Sequence, residues 1–323
     1  MNVFPLLRLL ADGGFHSGQS LGGRLDLSRA AIWNQVRAIE ASGLRVFKVR
    51  GRGYRLAEPL DLIDPHVLDQ ALRAAGVPFS IELIDECGST NTTMMERVRQ
   101  GATLPAALAC EVQSAGRGRR GSTWHSGIGT GLAFSLAWRF HQGAGALAGL
   151  SLAVGVAMAR AVESLGFDGV RLKWPNDLLF HGRKLGGILI EMSGDALGPS
   201  IVVIGVGLNV RLPPALSARI DQAAAGLEGT GHGTPPSRTR VLARALEELG
   251  AILPEFARMG FEPLQGEWMR RHAWQGRRVA LGVAGRRAAE GEAVGVDDDG
   301  ALLLRTARGV ERFHSGELRL EQS

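Results

Sequence analysis

The stretch KWPNDLLFHGRKLGGILIE, residues 173–191, holds two of the three lysines in a chain whose basic residues number thirty-seven. The third is Lys48, and every other basic position is Arg. An Arg-biased codon usage explains the excess, but not why lysine survives at two positions only eleven residues apart. Lysine is a compact ammonium on a flexible stem and Arg a planar fork, so a site shaped for one often rejects the other. We therefore expect at least one of these lysines to be held by chemistry. VRLKW (170–174) reads as a strand, and Pro175 restricts Trp174 to extended backbone before the turn at Asn176 and Asp177. His181-Gly182-Arg183 forms the tip of a hairpin, and the returning KLGGILIE can bring Lys184 near Asp177. Such a pair is either a structural ion pair or a base beside a phosphate-neutralising cation.

Three further segments surround it. In ECGSTNTTMMERVRQ (86–100), Ser89, Thr90 and Asn91 follow the short strand IELID and precede a helix. Small polar residues there can cap the helix, the commoner role, or bond a ligand at its N-terminus. EVQSAGRGRRGSTWHS (111–126) contains a flexible cationic loop, Gly116 to Gly121. Its glycines permit close backbone approach, and Arg117, Arg119 and Arg120 can clamp phosphate or carboxylate. It has neither the P-loop ending nor the Rossmann spacing, and a ligand-free basic turn is the alternative. IVVIGVGLNV (201–210) is an apolar strand whose Gly205 and Gly207 mark close approach of another backbone or a ligand.

The first sixty residues read separately. They carry nine basic and four acidic residues, which is the whole net charge of +5, and the rest of the chain balances at 28 of each. Apolar residues at 6, 7, 9 and 10 predict a first helix, stopped at Asp12-Gly13-Gly14. Leu21 and Leu25 fit a second. After a turn at Leu25-Asp26-Leu27, Ser28 can N-cap a third, with Ile32, Val36 and Ile39 inward. Arg29, Ala30, Trp33, Asn34 and Arg37 remain outward, as in a helix-turn-helix. LRVFKVRGRGYRLAEP (44–59) then alternates and turns on Arg50-Gly51-Arg52-Gly53, a basic wing. Arg and Asn can read base edges and wing arginines can meet phosphate, so DNA is the expected partner. A protein-interaction module is the rival reading. Glu58-Pro59 opens a linker.

Composition narrows the class. A chain of 323 residues suggests two or three domains. The charge-poor stretch 144–159 is Gly/Ala-rich and interrupted, so no apolar run is expected to span a bilayer, and no signal-peptide pattern is read at the N-terminus. Cys87 and Cys110 lack metal spacing, which suits free thiols in a cytoplasmic protein with no metal held by a dedicated cluster. AAAGLEGTGHGTPPSR (223–238) reads as a long surface loop that should not touch the chemistry.

Taken together, GSTN, Q-x-x-GRGRRG-x-x-W, KWPND with RKLGGILIE, and IGVGLNV resemble the biotin–protein ligase family. FHSGQSLGGRLDLSRAAIWNQV (15–36) looks like the DNA-binding domain of its bifunctional branch, which combines biotin–[acetyl-CoA-carboxylase] ligase with biotin operon repressor. GRRVALGVAGRRAAEGEAVGVDDDGALLLRTARGVERFHSGELRL (276–320) resembles the family's small SH3-like β-domain. The resemblance implies an α+β multidomain protein: a winged helix-turn-helix over 1–60, a class II synthetase-like mixed sheet with helices over 66–272, and an SH3-like β-barrel over 275–321. It implies that the biotin carboxylate attacks the α-phosphate of ATP, with Mg²⁺, to give biotinyl-5′-AMP. A lysine of the biotin carboxyl carrier protein of acetyl-CoA carboxylase then takes the biotin. By the same resemblance Ser89, Thr90, Asn91, Gln113, Arg117, Gly118, Arg119, Arg120 and Lys184 bind biotin or its adenylate. Asp177 orients or deprotonates the acceptor amine, and Lys184 and Arg119 stand with it as catalytic residues. The Gly/Arg loop is expected to close as a lid, with Trp124 either packing against it or plain core. Lys173 is expected only to anchor the strand end. Operator DNA would meet Ser28, Arg29, Ala30, Trp33, Asn34, Arg37, Arg50 and Arg52, through a homodimer formed when adenylate is bound. A lipoate-type ligase and a biotin-sensing regulator without ligase activity are the competing readings.

Overall fold

Ser17 and Ser28 both accept a hydrogen bond at a helix start, from the backbone N–H of Ser20 at 3.0 Å and of Ala31 at 3.1 Å. These caps set the N-terminal unit in the computed structural model, which describes residues 2–194, 198–228, 236–283 and 286–321. Helices α1 (Phe4–Leu10), α2 (Gly18–Leu25) and α3 (Arg29–Ala41) bury Leu6, Leu7, Leu10, Leu21, Ile32, Val36 and Ile39. Asp26, at φ 52°, makes the left-handed turn between α2 and α3. Strands β1 (Val46–Val49) and β2 (Gly53–Leu56) form the wing, with Val49 opposite Gly53 across the turn. The outward residues of α3 are exposed as expected, and Arg37 lies over the Trp33 ring at 4.9 Å. This unit runs to Ile63, three residues past the expected limit.

The second unit, Asp64–Ser323, begins at a further cap. Asp64 accepts from the N–H groups of His66 and Val67 to start α4 (Pro65–Ala74). Then follow β3 (Ser80–Cys87), α5 (Thr90–Arg99), β4 (Ala106–Gln113), β5 (Gly131–Phe140), α6 (Leu150–Glu163), β6 (Arg171–Lys173), β7 (Asp177–Phe180), β8 (Arg183–Gly194), β9 (Ser200–Asn209), α7 (Pro214–Ser217), α8 (Arg238–Met259) and α9 (Glu262–Arg271). The seven strands make one mixed sheet in the order β3-β4-β5-β9-β8-β7-β6. Only β3 and β4 pair in parallel, and the chain crosses between them through α5. Met94 of α5 packs on Leu108, Ala137 and Val203 on one face of the sheet. Gly155 of α6 lies against Leu172 and Ile188. The apolar run 144–163 is long enough in composition to cross a membrane, but it bends at Ala148-Gly149 and most of it is buried. It is a core helix.

Strands β10 (Arg278–Val283), β11 (Arg286–Val296), β12 (Leu302–Thr306), β13 (Gly309–Phe313) and β14 (Glu317–Leu320) form an antiparallel sheet in the order β13-β12-β11-β10-β14. This C-terminal domain shares one compact unit with the seven-stranded sheet. Trp174, 1% exposed, donates its indole N–H to the Gly300 carbonyl at 3.1 Å. Gly300 itself, at φ 80°, sits where a Cβ would strike Gly149 and Leu152. The turn at Asp297–Gly300 is thus a joint between the seven-stranded and five-stranded sheets.

Candidate active site

The β7–β8 hairpin turns at His181, φ 48°, and Gly182, φ 73°, and brings Lys184 beside Asp177. Lys184 Nζ stands 2.8 Å from Asp177 Oδ1. Lys173 Nζ approaches the other oxygen, Oδ2, at 3.7 Å and lies 4.9 Å from the centroid of the Trp274 ring. The expectation that Lys173 is only a strand anchor is corrected here: its side chain is 15% exposed and lines the same cavity. Burial lowers its pKa, and the Asp177 carboxylate partly restores it. The sequence carries the signal, since Lys173 and Asp177 flank the three-residue turn Trp174–Asn176 and pair directly across it.

The cavity has a volume of about 660 Å³ and is lined by Thr90, Gln113, Arg117, Arg119, Arg120, Lys173, Asp177 and Lys184 among others. Ser89, Asn91 and Gly118 also reach it. The structure therefore brings every residue assigned to biotin and its adenylate to one place. Their local roles differ from the simplest expectation. Ser89 occupies the helix N-cap position of α5, yet its side chain makes no capping bond. Thr90 donates its backbone N–H to Gln113 Oε1 at 2.7 Å. Asn91, 3% exposed, has its amide engaged on both sides. Its Nδ2 donates to the Leu189 carbonyl at 3.1 Å and to Glu191 Oε2 at 2.9 Å, and its Oδ1 accepts from Ser135 Oγ at 2.6 Å. Gly205 is required beneath it, because a Cβ there would collide with the Asn91 amide. Gly207 has the same relation to the Trp124 ring, which therefore packs on the sheet and lines the cavity.

The cationic loop is shaped by its own backbone. Gly118 N–H donates to Ser122 O at 2.7 Å and Trp124 N–H to Gly116 O at 2.9 Å. Arg120 takes φ 53°, a left-handed conformation unfavourable for a side chain of that size. Arg119 donates from Nη1 to Asn176 Oδ1 at 3.0 Å, and Asn176 Nδ2 donates in turn to the Ile188 carbonyl at 3.0 Å. Arg117 Nη2 meets both oxygens of Glu191, at 2.9 and 2.8 Å. Asn176 and Glu191 stand inside the motifs KWPND and RKLGGILIE, but the motifs give no sign of their roles, because each acts through a partner distant in the chain.

The segment from residue 223 is a second correction. Its beginning touches the chemistry. Lys184 N–H donates to Ala223 O and Ala225 N–H to Lys184 O, both at 2.9 Å, so the segment pairs with the backbone of the central lysine. Asp221, Gln222 and Ala224 line the cavity. Residues 229–235 lie outside the described residues. At the far end Arg238 is fully buried, donating to Glu111 at 2.6 Å and to the Gly131 carbonyl at 2.8 Å. Both ends of this loop are anchored in the body.

Two ammonium groups on the Asp177 carboxylate and three guanidiniums lining the same cavity can neutralise the charge that builds where a carboxylate meets a phosphate. That is the equipment of an acid-activating ligase. The family models agree: the Biotin/lipoate A/B protein ligase family matches residues 85–209, an HTH domain residues 4–55, and the Biotin protein ligase C terminal domain residues 276–318. The chain is 37% identical to the bifunctional ligase/repressor BirA of Salmonella typhimurium, over 98% of this chain and 97% of that protein. It is 36% identical to BirA of Escherichia coli, over 100% and 98%. The solved biotin protein ligase from Aquifex aeolicus, in complex with biotin and ATP, matches with a TM-score of 0.63 at 28% identity, covering 76% of this chain and 99% of that one. The chain belongs to the biotin protein ligase family, among its bifunctional ligase/repressors.

Proposed function

We propose that this protein joins biotin to AMP at the Asp177 cavity, transfers it to a lysine of the biotin carboxyl carrier protein of acetyl-CoA carboxylase, and represses transcription through its winged helix. The observation that carries the enzymatic part is the carboxylate of Asp177 held between Lys184 and Lys173 in a cavity that Arg117, Arg119 and Arg120 also line. In the first step an oxygen of the biotin carboxylate bonds to the α-phosphorus of ATP and pyrophosphate leaves. Lys184 turns from Asp177 toward the carboxylate and phosphate oxygens as they approach, with the loop arginines opposite. In the second step the carrier amine attacks the acyl carbon, the C–O bond to AMP breaks, and the amine loses a proton. Asp177, released by Lys184 and steadied by Lys173, orients that amine and accepts its proton. The loop excludes water from the mixed anhydride.

Mg²⁺ fits as an ion carried in on the ATP phosphates. Among the described residues no group of three potential ligands converges on the cavity, the sole such cluster being Asp297 to Asp299 at the domain joint. Mg²⁺ characteristically binds through few carboxylates plus substrate phosphates. Its contribution there would be to neutralise phosphate charge.

With the carrier absent, adenylate stays bound, two copies pair, and their two modules meet two operator half-sites. Ser28, Arg29, Ala30, Trp33, Asn34 and Arg37 would face the major groove, and Arg50 and Arg52 the phosphates. Arg52 lies 4.1 Å from the centroid of the Phe15 ring, which limits the directions it can take. Incubation with ATP, radiolabelled biotin and a carrier domain, with lipoate as the competing acid, tests the enzymatic reading. Label transferred to the carrier and undiminished by lipoate supports it; label lost to lipoate returns the lipoate-type alternative.

A further inference from the structure

We propose that Glu191 is a positioning residue that braces the Gly/Arg loop against the pocket wall by holding Arg117 and Asn91 on one carboxylate. The inference rests on the adenylating reading above. It starts from where Glu191 sits. It lies on β8, two residues beyond Leu189 on the same face of the strand, with its side chain 29% exposed. A carboxylate in that position needs partners, and it finds two from separate segments that line the cavity.

Arg117 comes from the loop. Its Nη2 alone meets both Glu191 oxygens, and among the described residues its Nε and Nη1 take no partner. One corner of the guanidinium is gripped and the rest of the fork is left for a ligand anion. Asn91 comes from the start of α5. It donates to the same Oε2 that Arg117 meets, so a shift of the carboxylate is felt by both. From Asn91 the bonds continue inward. Ser135 Oγ lies 2.6 Å from Asn91 Oδ1 and 2.8 Å from Thr90 Oγ1, and the Thr90 N–H donates to Gln113 Oε1. A continuous polar chain thus runs from the loop arginine through Glu191 to the wall residues Asn91, Thr90 and Gln113.

The charge on Glu191 matters chiefly to Arg117. Asn91, whose amide is neutral and already bonded to the Leu189 carbonyl, needs only an acceptor. Glu191→Gln keeps an acceptor of the same size and removes the charge. It should therefore loosen the loop while sparing the wall, and the adenylate, which the loop covers, should escape faster.

The experiment is a double-mutant cycle on adenylate dissociation, read by single-turnover release from the full-length protein with no carrier present. Glu191→Gln should speed dissociation about fivefold, the upper range for a partly exposed ion pair. Biotin KM should shift by less than that, and the thermal midpoint should stay near the parent value. In an Arg117→Ala background Glu191→Gln should add nothing, because its target is gone. Glu191→Asp, which keeps the charge, should restore dissociation partway. Unchanged dissociation in Glu191→Gln would overturn the proposal. So would full additivity with Arg117→Ala, which would mark Glu191 as a merely structural residue. If the parent protein forms no adenylate at all, the adenylating reading itself has failed, and that result is separate from either outcome.

Discussion

Lys184 and Lys173 grip opposite oxygens of the Asp177 carboxylate, at 2.8 and 3.7 Å. The two lysines are not equivalent. Lys184 rides on a strand whose backbone is paired on its far side by Ala223 to Ala225, so its Cα is fixed and its stem alone can swing. Lys173 rests on the Trp274 indole, a contact that favours a cation and holds it in place. One lysine is therefore suited to leave the carboxylate for the substrate, and the other to stay.

Lys184→Arg should fold normally, retain operator affinity in its unliganded form, and lose adenylation by about 10²–10³-fold, the loss typical for one preorganised electrostatic donor. A planar guanidinium cannot reach a carboxylate and a phosphate oxygen from the position of a compact ammonium. Pyrophosphate release with biotin and ATP measures it. Rates near those of the parent protein would make the surviving lysine an accident of codon usage.

Lys173→Met should separate the two half-reactions. Once Lys184 has turned to the substrate, Asp177 would lack its remaining cation, so transfer from preformed adenylate should fall more than adenylate formation, by about tenfold if one charge-assisted contact of roughly 1.5 kcal/mol is lost. Single-turnover transfer to the carrier domain, compared with pyrophosphate release, reads the difference. Equal losses in both would return Lys173 to the role of strand anchor.

Arg119→Gly removes the Nη1 bond to Asn176 as well as a cation. The adenylate should be held less firmly by about 1.5–3 kcal/mol, and escaping adenylate should label lysines on bystander proteins. Gel detection of biotin on added serum albumin gives the readout, and labelling no greater than with the parent protein would refute the assignment.

Removal of residues 1–63 takes away the unit that carries +4 of the net charge of +5 and should abolish operator binding while pyrophosphate release continues. In the intact protein, operator affinity should fall by about 10³–10⁵ between low and moderate salt if ~6–10 phosphates are met. A truncated chain that still shifts operator DNA would contradict the winged-helix assignment.

His272 gives a pH dependence with a definite sign. It is 5% exposed, its ring lies 4.8 Å from that of Trp268, and burial lowers its pKa below the usual 6.5, against a hydrogen bond to Gln275 that acts the other way. Below the unfolded pKa the unfolded chain binds the proton and the folded chain does not, so stability falls as pH drops through about 6.5 toward the folded pKa, and recovers as pH rises. His272→Phe keeps the ring and should flatten that slope. Thermal midpoints from pH 5 to 8 for both proteins test it, and parallel curves would count against a buried neutral imidazole.

The sequence by itself determined whatever depends on neighbours along the chain. Ser17, Ser28 and Asp64 cap helices because a short polar side chain reaches an N–H two or three residues on. Lys184 meets Asp177 because a hairpin of that length folds back on itself, and the wing turns at Gly51 for the same local reason. Gly205 and Gly207 announced close approach, but not that Asn91 and Trp124 were the groups approaching. Those partners, like Glu191 for Arg117 and Asn176 for Arg119, lie between 57 and 114 residues away in sequence. Only the register of β8 against β9 and the seating of α5 on the sheet could choose them. The same holds for residues 223–225, whose composition reads as loop, and for Arg238, which looks like one more surface cation at its end. Pairing with Lys184 and burial against Glu111 are decided by which surfaces the sheet leaves uncovered. Short-range geometry is written in residue type and spacing. A buried charge or a braced arginine is a property of two distant segments at once, and exists only when the core has brought them together.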